Sequence, residues 1–311
     1  MNLHQTITNA KHFLFSERDT GGLWRDFYTD THGESIDWIS AYVGRSLLTA
    51  GVSFSELEIT ASNLLDRQGN EGGWGYNEKI FPDADSTANV ILFLSYFENE
   101  NEISRAKRFL LRHQHPDGSF GTYVPKLIRK YKRIPEEMSI DGWCSGVPEI
   151  TAVALEALGN NERAIAYLKS SQTEQGYWRS YWYTSDINST TKAINSIRDK
   201  ENCREMIIRA RRWLIEQVES IEIPVYLAFL LDGIRGEQEY SGEFYSGIDR
   251  LSKMQKDDGS WESYPILRFP LPSNTEPWKN SDRWRKDSKD QNRLFTTATC
   301  LNVLSKTKFH I

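Results

Sequence analysis

A repeated pattern constrains this chain most: an amphipathic helical stretch ends in Gln, and a polar turn with Gly and then an aromatic residue follow. The clearest copies end in Gln68, Gln114, Gln172 and Gln255 and lead to Trp74, Phe120, Trp178 and Trp261. Weaker copies lie at residues 21–24 and 213–217. A motif that returns along nearly the whole chain indicates a tandem array of similar structural units.

A second, more apolar helix is predicted after each copy of the pattern. We predict these helices at residues 35–50, 85–98, 147–159, 186–199, 222–232 and 293–305. Each pair then forms a hairpin of an outer amphipathic helix and an inner apolar helix, which buries its apolar face against the neighbouring hairpins. The prediction is an all-α fold, an (α/α)6 toroid of six helical hairpins, in which residues 1–311 form a single domain.

The Gln and the aromatic residue of the repeat have a structural interpretation. A Gln amide at a helix end can hydrogen-bond the backbone groups that lack partners there, and an aromatic side chain can stack over the turn. We therefore predict that Trp74, Phe120, Trp178 and Trp261 hold hairpins together and have no catalytic role. Small residues begin the inner helices, as at residues 85–88, and predict that these helices pack closely.

Composition excludes several classes of protein. The formal net charge is −5, without the basic excess that nucleic-acid binding requires. No apolar run is long enough to cross a bilayer, and the N-terminus lacks the basic and apolar regions of a signal peptide. Cys144, Cys203 and Cys300 are widely spaced, which fits reduced thiols and predicts a cytoplasmic protein.

One short acidic stretch is the strongest indication of chemistry. Asp83 and Asp85 stand two residues apart, before Ser86 and the apolar run of residues 90–94. Asp and Ser are favoured N-cap residues, so the stretch predicts the start of a buried helix. Two interpretations are equally good: a plain helix cap, or a site where burial and a like-charged neighbour keep one carboxyl group protonated.

The repeats and the acidic stretch together resemble the terpenoid cyclase and protein prenyltransferase superfamily. Within it, the chain is most similar to class II terpene cyclases of the squalene–hopene cyclase type, whose repeats carry a Gln…Gly-x-Trp signature. Their catalytic motif reads Asp-x-Asp-Asp-Thr-Ala, often after Pro. Residues 82–88 match this motif, except that Ser86 replaces the last Asp.

The resemblance implies that Asp85 is a general acid, which protonates a terminal alkene or epoxide of an isoprenoid and so starts a cationic cyclisation. Asp83 would tune this acid, and Ser86 would stand in the place of a third carboxylate. Aromatic faces would stabilise the carbocation without trapping it.

Candidates for substrate binding lie near the predicted mouths of the inner helices. The aromatic candidates are Trp38, Tyr42, Trp143, Tyr181, Trp182, Tyr183, Tyr226 and Phe295. For any single one of them, core packing is the favoured interpretation, and the cluster at residues 181–183 is the best candidate to face the cavity. Glu149 and Asp186 are polar candidates at the same mouth, although helix capping also explains both.

Two long connections, residues 121–146 and 262–292, are predicted to act as lids on the side of Asp85. Both contain cations, and we expect Arg129 and Arg285 to clamp a prenyl diphosphate, with solvated basic loops as the plainer interpretation. A diphosphate substrate could bring Mg²⁺, but no other cofactor and no metal site are expected. Without a second helical domain, these loops, a partner domain or a second copy of the chain would cover the cavity.

Other classes of protein fit the sequence less well. The His and Cys residues do not assemble the zinc site of the protein prenyltransferases, and no DDxxD motif for ionisation-initiated cyclisation occurs. Two alternatives stay open: a noncatalytic toroid that binds an isoprenoid or a protein, and a carbohydrate-active toroid enzyme with Asp85 and Glu149 as paired acids. The absence of an apolar membrane patch favours a sesquiterpenoid, a diterpenoid or a prenylated aromatic substrate over a triterpene.

Overall fold

Helices account for nearly all regular structure in the computed structural model, which describes residues 2–30, 32–279 and 288–307. The outer helices are α1 (Leu3–Ser16), α3 (Phe54–Asp66), α5 (Glu100–Leu111), α9 (Glu162–Ser171), α11 (Arg204–Ile215) and α13 (Ser241–Lys253). The inner helices are α2 (Asp37–Thr49), α4 (Ala84–Leu94), α8 (Pro148–Leu158), α10 (Asp186–Ile197), α12 (Pro224–Ile234) and α14 (Leu294–Ser305).

Smaller elements lie in the connections. Two short helices, α6 (Pro125–Lys132) and α7 (Asp141–Cys144), follow the third outer helix, and an antiparallel hairpin of β1 (Asp26–Thr29) and β2 (Gly33–Ser35) precedes α2. All six predicted inner helices are present. The second was predicted too long, because α4 ends at Leu94 and a tight turn follows it.

The inner helices form a closed ring. Each inner helix packs against the next in chain order, and α14 packs back against α2. The all-α toroid of six hairpins is therefore confirmed. Since an outer helix returns the chain after every inner helix, the inner helices run in parallel. Their N-termini meet at one end of the ring, which we call the upper mouth, and their C-termini meet at the lower mouth.

The aromatic residues of the repeat join each outer helix to its inner partner. The indole Nε1 of Trp74 donates to the carbonyl of Leu64 at 2.6 Å, and its backbone N–H donates to the Thr87 hydroxyl at 3.0 Å. Trp178 does the same with Leu168 and Thr190. The predicted structural role is thus confirmed. The hydroxyl residues at the starts of the inner helices have a further function, since they accept a buried backbone N–H that would otherwise lack a partner.

The Gln residues tie neighbouring hairpins to one another. Gln172 Nε2 donates to the carbonyl of Gly176 in its own turn and to that of Met206 in the next outer helix, at 2.7 and 2.9 Å. Gln255 makes the same pair of bonds to Gly259 and Thr6, both at 2.9 Å. Because Thr6 lies in α1, this last bond closes the outer ring.

Charges are distributed along the ring axis in agreement with the helix dipoles. Asp37, Asp85, Glu149 and Asp186 lie in the first turns of inner helices at the upper mouth. At the lower mouth, the C-caps of α10, α12 and α14 are the cations Arg198, Arg235 and Lys306. Each arrangement offsets the partial charges of the helix ends. Within the described ranges, no helix has the length and apolar character needed to cross a membrane.

Candidate active site

A cavity of about 120 Å³ opens at the upper mouth, and we call it the upper cavity. Its acidic side is formed by Asp83, Asp85 and Ser86 at the start of α4. Its aromatic walls are Trp38, Tyr76, Tyr123, Trp182, Tyr183 and Phe269. Thr122, Leu267 and Arg268 also line it, so residues from both predicted lid segments form part of its wall.

Asp83 is the N-cap of α4 and is only 5% exposed. Its Oδ1 accepts the backbone N–H of Ser86 at 2.7 Å, and its Oδ2 accepts the Ser86 hydroxyl at 2.8 Å. Burial raises the pKa of Asp83 to about 7, and the negative charge of Asp85 acts in the same direction. The serine side chain at position 86 therefore supplies one hydrogen bond to Asp83, where an aspartate would supply a third negative charge.

Asp85 lies in the first turn of α4 and has a different environment. Its Oδ1 is 3.6 Å from the ammonium of Lys192 and accepts the side-chain amide of Asn89 at 3.3 Å. Lys192 also lies 3.5 Å from the hydroxyl of Tyr183 and 4.9 Å from the centre of its ring. Of the acidic pair, Asp85 is thus the member that contacts the Lys192 cation.

Three of the predicted aromatic residues line the upper cavity: Trp38, Trp182 and Tyr183. Phe295 and Tyr42 pack directly below them, with ring centres 4.6 Å apart and Phe295 5.3 Å from Trp38. Trp143 lines an adjoining space of about 90 Å³, which we call the vestibule. The vestibule shares four aromatic residues with the upper cavity.

Two of the predicted aromatic residues, Tyr181 and Tyr226, do not face the upper cavity. Tyr181 donates its hydroxyl to the carbonyl of Asn274 at 2.9 Å, and Tyr226 hydrogen-bonds Thr184, so neither lines the upper cavity. Sequence neighbours in an extended loop point in different directions, and only Trp182 and Tyr183 of that cluster face the cavity.

Glu149 does not line the upper cavity either. It is fully buried, and its Oε1 accepts the backbone N–H groups of Tyr181 and Trp182 at 2.7 and 2.8 Å. Burial raises its pKa. Asp186 accepts the backbone N–H of Ser180 at 2.8 Å. Both acids therefore fix the loop that carries the aromatic residues, and the carbohydrate-active alternative loses the second acid that it required.

The structure describes one of the two residues expected to clamp a diphosphate. Arg129 donates to the carbonyl of Pro135 at 2.7 Å and lies outside the cavity lining, while Arg285 lies outside the described residues. The cations that do line these spaces are Arg268 in the upper cavity and Lys132 in the vestibule. Arg268 is buried and donates to the carbonyls of Ser180 and Thr184.

Sequence reasoning missed Lys192, Lys132 and Arg268. The one available signal was Lys192, a charged residue within a predicted inner helix, where most side chains are apolar or small. Across the described ranges, no group of three or more His, Cys, Asp or Glu residues is placed to hold a metal ion.

The chain is thus a closed ring of helical hairpins with a carboxylate pair facing an aromatic cavity. A sequence profile of the squalene-hopene cyclase C-terminal domain matches residues 62–220, just over half of the chain. The chain therefore belongs to this family, and the resemblance predicted from its repeats is confirmed.

Individual proteins agree with this assignment. A squalene-hopene cyclase from Schizosaccharomyces japonicus is 28% identical over 134 residues, which cover 37% of this chain and 20% of that protein. The matched part of the chain thus spans about a fifth of that curated relative. A protein from Actinoplanes has a TM-score of 0.90 and 28% identity, with coverage of 97% of this chain and 98% of that one.

The fold is also that of the type II terpene cyclase MstE from Scytonema. The apo structure has a TM-score of 0.90 and 24% identity, with 98% of each chain covered. A variant of MstE in complex with its substrate, geranylgeranyl dihydroxybenzoate, matches with the same TM-score and 25% identity, over 98% of this chain and 97% of that one. The predicted class of enzyme agrees with these matches.

Proposed function

We propose that this protein is a class II terpene cyclase, which protonates a linear isoprenoid chain and so starts its cyclisation. The observation that carries the proposal is the position of Asp83 and Asp85 at the start of α4, facing a cavity with aromatic walls. A carboxylic acid beside an apolar, aromatic space is the arrangement that protonation of an alkene requires.

Asp85 is the proton donor in this proposal. Both of its contacts, from Lys192 and from Asn89, are to Oδ1, so Oδ2 is the oxygen that we assign to the proton. When the proton leaves, the carboxylate gains a full negative charge, and the Lys192 ammonium stabilises it. Because burial raises the pKa of Asp83 to about 7, Asp83 carries only part of a negative charge at neutral pH. As the N-cap of α4, it also fixes the start of the helix that bears Asp85.

The aromatic walls of the cavity stabilise the carbocation that protonation forms. Trp38, Trp182 and Tyr183 present ring faces or edges to the cavity, and ring faces stabilise a nearby cation. The cyclised cation ends the reaction when it loses a proton, so atoms and charge balance without a cofactor. Mg²⁺ enters the proposal only if the substrate carries a diphosphate.

The substrate in this proposal is an isoprenoid chain with a terminal alkene or epoxide. The complex of MstE with a prenylated benzoate supports a prenylated aromatic compound as one such substrate.

The segments 121–146 and 262–292 cover the cavity in this proposal. Trp143 in the first donates its indole N–H to the carbonyl of Pro270 in the second at 3.0 Å. We place the enzyme in the cytoplasm, in line with three unpaired and buried cysteines.

The test is incubation of wild type, Asp85→Asn and Asp83→Asn with geranyl, farnesyl and geranylgeranyl diphosphates and a prenylated hydroxybenzoate, with and without Mg²⁺. Mass spectrometry would detect a cyclised product of unchanged mass formula. We expect product from wild type, none from Asp85→Asn and reduced product from Asp83→Asn. Binding of a substrate without any product from wild type would favour the noncatalytic isoprenoid-binding toroid instead.

A further inference from the structure

Two strained backbone positions lie at the junction between the β1–β2 hairpin and α14. Within the described ranges, three residues other than glycine adopt a positive φ. Two of them are Phe27 in β1, with φ 53°, and Arg293, the N-cap of α14, with φ 61°. A left-handed backbone is costly for a bulky residue and persists only where its surroundings hold it. Because strain of this kind clusters at functional sites, the junction is a candidate for a functional role.

Asp26 is the residue that holds both strained positions. It is only 1% exposed. Its Oδ1 accepts the backbone N–H of Phe27 at 2.8 Å and that of Asn292 at 3.0 Å, and its Oδ2 accepts the N–H of Leu294 at 2.9 Å. Since Asn292 and Leu294 flank Arg293, one carboxyl group fixes the two strained positions, which come from opposite ends of the chain.

Phe27 is fully buried behind the aromatic wall of the upper cavity. Its ring centre lies 5.3 Å from that of Trp38 and 5.8 Å from that of Phe295, and its carbonyl accepts the hydroxyl of Tyr76. Trp38 and Tyr76 line the upper cavity, and Phe295 contacts Trp38 from below. A shift of Phe27 would therefore displace three aromatic residues in or directly below this wall.

Core packing alone does not explain this arrangement. An aromatic ring can pack between two others from an ordinary strand conformation, and glycine is the usual residue where the backbone is left-handed. Here an aromatic residue occupies such a position, and a buried carboxyl group, which is itself costly to remove from water, keeps it there. The combination lowers stability, and what it achieves is a fixed position for the Phe27 ring and carbonyl.

We propose, resting on the function proposed above, that Asp26 is a positioning residue that determines how far the cyclisation proceeds. It acts through Phe27, which holds Trp38, Tyr76 and Phe295 in place. After each ring closes, the carbocation either closes another ring or loses a proton, and ring closure requires the remaining chain to be folded against the wall. A rigid wall therefore favours further ring closure. Every product ends in the loss of one proton, so the products are isomers that differ in their number of rings and double bonds.

The experiment compares Asp26→Asn with wild type on geranylgeranyl diphosphate and on a geranylgeranylated hydroxybenzoate. Chromatography with mass spectrometric detection separates the isomeric products. The amide retains one acceptor oxygen, but its nitrogen cannot accept a backbone N–H. We expect the ratio of incompletely to fully cyclised product to rise at least about 10-fold, while substrate consumption falls less than about 3-fold, because the proton donor Asp85 lies outside this junction.

Two further variants complete the comparison. Gly236→Ala is the control for a loss of stability, because this glycine has φ +87° in the turn after α12 and a Cβ there would meet nothing within 4 Å. It should keep the wild-type product ratio. Phe27→Leu retains an apolar side chain without the ring, and it should shift the product ratio in the same direction as Asp26→Asn.

A wild-type product ratio in both Asp26→Asn and Phe27→Leu would overturn the proposal. The same shift in Gly236→Ala would overturn it as well, since the effect would then follow from reduced stability in general. Failure of the proposed function has another signature: wild type itself would form no cyclised product from either compound.

Discussion

At the residue scale, Lys192 is the side chain that most affects the proposed acid. Its ammonium contacts Asp85 from an inner helix two positions further round the ring, and it is itself largely buried. A charged partner for a carboxylate contributes about 1.5–3 kcal/mol, which corresponds to roughly 10- to 150-fold in rate if it acts on the transition state.

Replacement of this lysine by methionine should therefore reduce kcat by roughly 10- to 100-fold and leave substrate binding nearly unchanged. The methionine has a similar length and no charge, so packing is retained. Lys192→Arg keeps the charge and should recover part of the loss. The measurement is the steady-state rate of cyclisation at fixed pH for the three proteins. A methionine variant with full kcat would show that Asp85 needs no cationic neighbour.

At the scale of the elements, the hydroxyl residues that begin the inner helices connect the repeat to the core. Thr190 accepts the backbone N–H of Trp178 at 3.1 Å, and both residues are buried. Thr190→Val should lower the free energy of unfolding by about 1–3 kcal/mol, because it leaves a buried N–H without its partner. Thr190→Ser, which retains the hydroxyl, is the control and should lose less. Urea unfolding would compare the two, and equal losses would assign the effect to packing.

A second carboxylate pair fixes α14. Asp26 accepts the backbone N–H groups of Asn292 and Leu294 at 3.0 and 2.9 Å, and Asp290 accepts that of Thr296 at 2.7 Å. Burial raises the pKa of Asp26 to about 6 and that of Asp290 to about 8, and the negative charge of Asp26 also raises the pKa of Asp290. Glu34 adds a further negative charge near Asp26.

This pair predicts a loss of stability with rising pH. Both acids bind protons more tightly in the folded protein than in the unfolded chain, where Asp titrates near 4. The unfolded state therefore holds fewer protons between about pH 4 and pH 8, and the free energy of unfolding falls as the pH rises through this window. Asp290→Asn should flatten the dependence between pH 6 and 9 in thermal unfolding scans. A variant with the same slope as wild type would exclude the pair as its source.

Local sequence patterns predicted the helical hairpins, but they could not predict the contacts between distant residues in the candidate site. The Gln residues, the glycines and the aromatic residues recur at short spacing, so local pattern predicted the hairpins and their order. The pairing of Asp85 with Lys192, and the carbonyl contacts of Arg268, join residues from distant parts of the chain. Such contacts depend on how the ring closes, and no local spacing contains that information. Arg129 shows the converse, since its position in a basic loop predicted a clamp but its side chain donates to the carbonyl of Pro135 in the turn after its own helix.

At the scale of the whole molecule, a junction between the first and last outer helices closes the outer ring. Gly259 adopts φ +90° in the turn after α13, and a Cβ there would meet the backbone carbonyl of Asn9 in α1. The equivalent glycines of three other copies, Gly72, Gly118 and Gly176, have φ between +95° and +99° and face the next outer helix in the same way. The repeat glycine is thus needed both for its backbone conformation and for close approach.

Gly259→Ala should therefore destabilise the protein by more than the backbone strain alone. Gly236→Ala is the matched control, because Gly236 has φ +87° and a Cβ there would meet nothing within 4 Å. We expect a loss of about 1–2 kcal/mol for Gly236→Ala, from strain, and at least about 3 kcal/mol for Gly259→Ala, from strain and from the forced separation of α1 and α13. Urea unfolding measures both, and limited proteolysis near residues 2–16 should show faster cleavage only in Gly259→Ala. Equal losses, with α1 equally protected, would mean that closure of the outer ring does not depend on this contact.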